Sequence, residues 1–281
     1  MTTGRMLVAR ILALDRGNSA LKIALFDSGE IVGRWTDAGS SPETFLDGIA
    51  REIALASAGS AGARVSGKDR SRLLHAFLES VMFHSAIVSS VDSRRSSEIR
   101  RVLERMGVSR ILEVSSRMKL PFKLLTERLA KLGPDRLAAA AGAAALGARE
   151  AVIVDAGTAI TIDVLSKGGF LGGSIVPGRD LMYRALHEGT SALPLVSGGA
   201  GTLEPPGRNT RDAILSGVQW GAVGAVKEII RRSRPFVSRS ARIWVTGGGG
   251  AALAPHLGKG ARHEPDLVFR GLHHLFELNS R

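Results

Sequence analysis

Hydrophobic and polar positions fall into short apolar runs broken by glycine-bearing polar turns, and the runs come in two matching sets. The first run ends in Asp15-Arg16-Gly17-Asn18-Ser19 and resumes as Ala20-Leu21-Lys22-Ile23-Ala24-Leu25-Phe26. It turns at Asp27-Ser28-Gly29-Glu30 and enters a third apolar stretch. The second set begins with Ala151-Val152-Ile153-Val154, bends at Asp155-Ala156-Gly157-Thr158-Ala159 and resumes as Ile160-Thr161-Ile162-Asp163-Val164-Leu165. It turns again at Ser166-Lys167-Gly168-Gly169. Each set predicts strand, acidic glycine turn, strand, glycine turn, strand, over residues 7–36 and 151–176.

Helical periodicity predicts a helix over 42–58, with Phe45, Leu46, Ile49 and Ile53 on one face, and further helices over 73–80, 98–106 and 179–187. An alanine-rich helix runs from about Asp135 to 148. A long helix over 210–232 carries Ile214, Val218, Ala222, Val226 and Ile230 on one stripe, and an apolar helix closes the chain over 267–278. Short strands are predicted at 85–91, 110–114 and 243–246, and loops at 57–71 and 200–208. This alternation predicts an α/β protein of two similar half-domains, residues 1–132 and 133–281, with a cleft between them.

Composition narrows the class. The 281 residues are 44% hydrophobic and 23% charged, an ordinary globular balance with length for a sizeable core. There is no cysteine, which removes disulfides, thiolate chemistry and cysteine-based zinc sites and fits a reducing cytoplasm. Residues 1–10 lack a secretion signal's apolar stretch, and no run nears the roughly 18 apolar residues of a membrane span, so a cytoplasmic protein without a membrane partner is expected. Met6 would serve equally as a start, and the sequence does not decide between it and Met1. The net charge of +12 gathers in clusters such as Arg94-Arg95, Arg100-Arg101 and Arg231-Arg232-Ser233-Arg234. Either these attract an anionic partner or they are a solvated surface. With aromatics at 5%, no stacking platform accompanies them, and nucleic acid is not the expected partner.

Candidate chemistry lies in the turns. An Asp-x-Gly-[Asn/Thr] bend joins a carboxylate to exposed backbone N–H groups: the first attracts a cation, the second bind phosphate oxygens. A single such bend could be hairpin chemistry alone. A second copy favours a pair of loops that clamp one metal-bound polyphosphate, with Lys22 in reach as a point charge. Gly247 to Gly250, after a strand and before a helix, is either a third ligand loop or a flexible linker. Asp135-Arg136 opens a helix, where the macrodipole favours a carboxylate. The same pair would suit transfer of a phosphoryl group to a hydroxyl, with Asp135 accepting the proton and Arg136 holding an acidic substrate. The Gly217-x-x-x-Gly221 spacing suits close helix contact, in the core or at a dimer interface. His75, His84, His187 and His256 show no metal-ligand spacing.

Taken in order, several stretches resemble the type III pantothenate kinase family, within the wider sugar kinase, heat-shock chaperone and actin superfamily. They are Asp15-x-Gly17-Asn18-Ser19 with Lys22; Gly133-Pro134-Asp135-Arg136; Asp155-Ala156-Gly157-Thr158-Ala159-x-Thr161-x-Asp163; Gly172 to Gly178; Leu193-Pro194; Asn209-Thr210 with Gly217; and Thr246-Gly247-Gly248. The resemblance implies two halves of the actin-like ATPase (ribonuclease H-like) fold around a central nucleotide cleft. The implied reaction is ATP-dependent phosphorylation of pantothenate to 4'-phosphopantothenate, the first step of coenzyme A biosynthesis.

By position, Asp15, Arg16, Gly17, Asn18, Ser19, Ala20, Leu21 and Lys22 would bind ATP, with Asp15 toward Mg²⁺. Thr158 would also touch ATP, and Asp155 would hold a monovalent cation, K⁺ or NH₄⁺. Asp135 would be the proton acceptor; Gly133, Pro134, Asp135 and Arg136 would contact pantothenate; Thr210 would complete that pocket in a homodimer. The chain departs from the family with Arg16 in place of a small or apolar residue, Ser19 in place of Thr, and Thr126 and Leu129 where Tyr and Pro are usual. Residues 59–70 read as an inserted surface segment. Two other functions stay open: a catalytically weak relative acting as a transcription accessory protein, and a kinase of another small hydroxyl compound.

Overall fold

The computed structural model describes residues 10–57, 84–198 and 203–280. The expected helix at 73–80, nearly all of the 57–71 loop, the inserted segment and His75 lie outside the described residues. By internal contacts the chain divides into two compact units. One comprises 1–118, 133–135 and 272–281; the other comprises 119–132 and 136–271. Against the expected halves, 119–132 group with the second unit and 133–135 and 272–281 with the first.

In the first unit, strands β1 (Ile11–Arg16), β2 (Leu21–Asp27) and β3 (Glu30–Asp37) form the expected meander. Helix α1 (Pro42–Ser57), β4 (Ser85–Ser90), α2 (Ser93–Arg105) and β5 (Arg110–Glu113) follow. The sheet order is β3-β2-β1-β4-β5, with β1 antiparallel to β2 and parallel to β4. Period-two alternation sends Leu12 and Leu14 of β1 into a core with Leu46 and Ile49 of α1 and Ile99, Val102 and Leu103 of α2. Helix α2 begins five residues before the expected Glu98. Asp92 Oδ1 accepts from the Arg94 N–H at 2.9 Å and the Asp92 carbonyl from Ser96 at 2.9 Å, so a polar run becomes the first helical turn.

The second unit repeats this plan. Its elements are β6 (Lys123–Leu124), most of α3 (Pro134–Ala145), β7 (Ala151–Ala156), β8 (Ala159–Ser166), β9 (Gly169–Pro177), α4 (Arg179–Glu188) and α5 (Thr210–Ser233). They continue with β10 (Arg242–Thr246), α6 (Gly250–Leu253), β11 (Ala261–His263) and the start of α7 (Leu267–Leu278). The order β9-β8-β7-β10-β11, with β6 added beside β9, matches the first sheet strand for strand. The α5 stripe Ile214, Val218, Ala222, Val226 and Ile230 is buried as its periodicity predicts, and its last three residues meet Val152, Val154 and Ile243 of the sheet. Strands β6 and β11 were not expected, since neither carries an apolar alternation long enough to read.

Within the described residues, close helix contact involves α3 and α7 and not the α5 glycines. A Cβ at Gly217 or Gly221 would meet nothing within 4 Å. A Cβ on Gly142 of α3 would instead fall on the Leu267 carbonyl oxygen, and one on Gly271 of α7 would fall on the Ala138 carbonyl oxygen. Backbone meets backbone there, and only glycine leaves the space.

Candidate active site

In the first unit the register of β1 assembles a charged cluster. Asp15 lies opposite Lys22 on β2 and opposite Ser89 on β4, so all three share a face of the sheet. Asp15 Oδ1 and Ser89 Oγ are both buried without a hydrogen-bond partner. Burial pushes the Asp15 carboxyl up to about 6 from an ordinary 3.8. The Lys22 ammonium opposes that rise and the charge of Asp135 adds to it. Asp135 stands behind Pro134 in the first turn of α3, where Asp complements the helix dipole and Pro forfeits no helical hydrogen bond. Two carboxylates and a lysine thus act on one another within a single unit.

The turn after Asp15 closes through a Gly17 N–H bond to the Ala20 carbonyl at 3.1 Å, and Arg95 of α2 donates to the Asn18 carbonyl at 3.3 Å. Asn18 and Ser19 are exposed at its tip. Leu21 and Arg16 face away from Asp15: Leu21 joins the α1–α2 core, and the Arg16 charge bears on Asp37. An unpaired buried carboxylate oxygen is costly, and Mg²⁺ is a hard cation that seeks oxygen donors. Asp15 Oδ1 and Ser89 Oγ therefore fit such an ion. Among the described residues no group of three or more His, Cys, Asp or Glu is arranged to hold a metal. An Mg²⁺ here would draw most of its ligands from phosphate and water.

In the second unit Asp155 lies opposite Thr161 on β8 and Thr246 on β10. The turn closes through Gly157 N–H to the Ala159 carbonyl at 3.1 Å, and Gly178 donates to the Thr158 carbonyl at 2.9 Å. The glycine run after β10 is bound to this turn, because Gly249 donates to the Ala156 carbonyl at 2.9 Å. Gly247 has φ +84, and a Cβ there would fall on Asp155 Oδ1 and lie 2.7 Å from the Ala156 carbonyl. The run is a structural partner of the acidic turn and no linker.

Arg136, next along α3, donates from Nε to Asp163 Oδ1 at 3.0 Å and Oδ2 at 3.1 Å, and from Nη2 to Oδ1. The Asp163 side chain is 1% exposed and that of Arg136 15%. The guanidinium carbon lies 5.8 Å from the centroid of the Phe170 ring. Thr126 has a buried hydroxyl without a partner, and Leu129 opens an exposed single turn. Thr210 is exposed at the start of α5, after the cap Asn209, whose Oδ1 accepts from the Asp212 N–H at 2.9 Å. Sequence reasoning missed Ser89, which only strand register brings to Asp15, and gave Asp163 no role of its own.

Comparison with known proteins places this arrangement. The profile of the type III pantothenate kinase family matches residues 11–232. A type III pantothenate kinase of Chlorobium luteolum is 38% identical over 204 residues, covering 69% of this chain and 74% of that protein. One from Porphyromonas gingivalis is 34% identical over 272 residues, 95% and 98% of the two chains. Among solved structures, a Campylobacter jejuni protein described as a Baf family transcriptional activator superposes with a TM-score of 0.54 at 19% identity, over 96% and 98% of the chains. A Sinorhizobium meliloti protein described as a 2-dehydro-3-deoxygalactonokinase gives 0.51 at 15% identity, over 95% and 98%. At those identities the likeness is one of fold alone, a two-sheet α/β fold that this chain has in common with both proteins. With the duplicated sheets, the paired acidic turns and a family match over most of its length, the chain belongs to the type III pantothenate kinase family.

Proposed function

We propose that Asp135 is the proton acceptor in the phosphorylation of pantothenate, with the Asp15–Lys22 turn holding the ATP phosphates. The chain is a kinase by family, and the family's reaction is ATP-dependent phosphorylation of pantothenate at the start of coenzyme A biosynthesis. In that reaction the Pγ–O bond to ADP breaks and a bond forms to the primary hydroxyl oxygen of pantothenate, whose proton passes to the Asp135 carboxylate. Lys22 brings a positive charge to the phosphates, and the N–H groups of the Gly17 to Ala20 turn offer donors to their oxygens. Asp15 and Ser89 would hold Mg²⁺, which when bound screens the charge of the phosphate chain. Asp155 takes a monovalent cation, Thr158 contacts ATP, and Gly133, Pro134 and Arg136 contact pantothenate. Thr210 reaches pantothenate in a homodimer; supporting this, α5 exposes Gly217, Gly221 and Gly224 with nothing within 4 Å of an added Cβ. The compartment we assign is the cytoplasm; no described helix is long and apolar enough to cross a membrane.

The observation that carries the reading is the buried Asp15 carboxylate flanked by Lys22 and Ser89 and feeling the charge of Asp135. The test is a coupled assay of ADP release with pantothenate and a panel of other hydroxylated acids, in Mg²⁺ with K⁺ or NH₄⁺. Pantothenate-dependent turnover is expected, and Asp135→Asn should lose about 10²–10⁴-fold in kcat while still binding ATP and melting cooperatively. ATP binding without pantothenate-dependent turnover of the parent protein would refute the reading. Turnover with a different acid in the panel would move it to another substrate.

A further inference from the structure

Arg136 is held unusually firmly for a side chain expected to meet substrate. Its planar fork engages both oxygens of Asp163 through Nε and Nη2, and one ring face of Phe170 lies alongside. Phe170 is itself packed against Phe122, with ring centroids 6.0 Å apart. Asp163 points inward from β8 and is buried, opposite Gly173 of β9; a Cβ on Gly173 would lie 2.5 Å from Asp163 Oδ1. A carboxylate is expensive to bury, and the guanidinium of Arg136 compensates this one with a paired charge and three hydrogen bonds. Fork and ring together fix the guanidinium plane, and with it the direction of the terminal Nη1–Nη2 edge.

We propose that Asp163 is a positioning residue for recognition of the substrate carboxylate: by holding the Arg136 fork it aims the guanidinium at the acid end of pantothenate. The inference rests on the pantothenate kinase reading and on Arg136 as the carboxylate's partner. A planar guanidinium reads a carboxylate through two parallel bonds, which demands orientation as well as charge. Asp163 does not touch the reacting atoms, so its effect belongs to acceptor binding and to the choice between charged and uncharged acceptors.

The experiment compares pantothenate with its alcohol analogue, in which CH₂OH replaces the carboxylate while the accepting hydroxyl is unchanged. The parent enzyme should favour the acid. In Asp163→Asn the ratio of kcat/KM for acid over alcohol should fall about 10-fold or more, the scale of one charge-assisted hydrogen bond. The loss should appear in KM for pantothenate, with KM for ATP and kcat for the alcohol little changed. An unchanged ratio in a folded Asp163→Asn protein overturns the proposal, as does an equal loss of kcat with both acceptors. Should Asp163→Asn fail to fold, Arg136→Lys supplies the test, because lysine keeps the charge but has no fork. The ratio should fall there too, and a parental ratio overturns the proposal. A parent that uses both acceptors equally removes Arg136 as carboxylate reader and the inference with it, leaving the kinase reading intact. A parent that turns over neither sinks both.

Discussion

Replacing Asp15 by Asn should make the ligand-free protein more stable and the enzyme useless. Folded, the Asp15 carboxyl is pushed up to about 6 by burial; unfolded, it ionises near 3.8. Between those values the folded chain holds the proton that the unfolded chain has lost, so stability falls as pH climbs through the window. Above about 6 the full cost of burying the ionised group is present, about 3 kcal/mol at 1.36 kcal/mol per tenfold. Asn has nearly the same shape and no charge at any pH, so it escapes this cost. The pull of Lys22 on the carboxylate is already contained in the value of about 6.

The assay is thermal unfolding of both proteins in EDTA, without nucleotide, at several pH values from 4.5 to 8. Asp15→Asn should melt higher at pH 8, by about 5 °C for a chain of this size, and the gap should close toward pH 4. Adding Mg²⁺ and ATP should reverse the order, since a ligand that binds only the parent stabilises only the parent. Parallel curves at all pH values, or a parent that is more stable at pH 8 in EDTA, would show that burying the Asp15 charge does not destabilise the fold.

Two further substitutions test the packing that supports the site. Gly247→Ala puts a side chain at φ +84 and onto Asp155 Oδ1, so it should cost about 1–3 kcal/mol and raise the K⁺ or NH₄⁺ concentration needed for half-maximal activity. Gly248→Ala, with nothing within 4 Å, is the control, and an unaltered cation requirement in Gly247→Ala would separate Asp155 from the cation. Gly142→Ala should lower the urea midpoint by an amount equivalent to about 3 kcal/mol, because the new methyl meets the Leu267 carbonyl and helix backbones yield less than side chains. An unchanged midpoint would mean that α3 and α7 do not cross so closely.

What the sequence made legible were features carried by local pattern. The two meanders, the acidic turns and the α5 stripe each follow from hydrophobic periodicity plus glycine placement within about 25 residues. Features that need a distant partner were not legible. Asp163 interrupts an apolar strand, and what makes it tolerable is Arg136, 27 positions earlier on a helix. Ser89 reads as an unremarkable strand residue until register sets it beside Asp15. The start of α2 was missed because Ser93 to Ser97 have no apolar rhythm and the helix depends on the Asp92 cap. The glycine spacing in α5 marks no close crossing among the described residues of the chain itself. In the alanine-rich α3 every residue near Gly142 is small, so nothing in the string marks the one that a carbonyl approaches.

Under the proposed function one duplicated motif would serve two different ions, and the neighbours of each acid bear on that proposal. Both sheets run in the same order, and both place an acid at the end of the central strand, but its neighbours have diverged. Across from Asp15 stand Lys22 and Ser89; across from Asp155 stand Thr161 and Thr246. The first turn spans four residues between its last paired positions, Arg16 and Leu21, and the second spans three, between Ala156 and Ile160. A carboxylate beside an ammonium and a second carboxylate suits a densely charged partner that brings its own anions, which describes a metal polyphosphate. A carboxylate among neutral hydroxyls, with the backbone of Ala156 and the Gly247 run close by, offers one negative charge and several weak oxygen dipoles. On the proposed function, the paired threonines and backbone carbonyls would suit a singly charged cation, which needs less anionic compensation than a divalent one. Exchanging the neighbours should therefore exchange the preference: Thr161→Lys should abolish monovalent-cation activation and leave ATP binding through Lys22 in place. Retained K⁺ activation in that variant would break the link between the neighbours of each acid and the ion it holds.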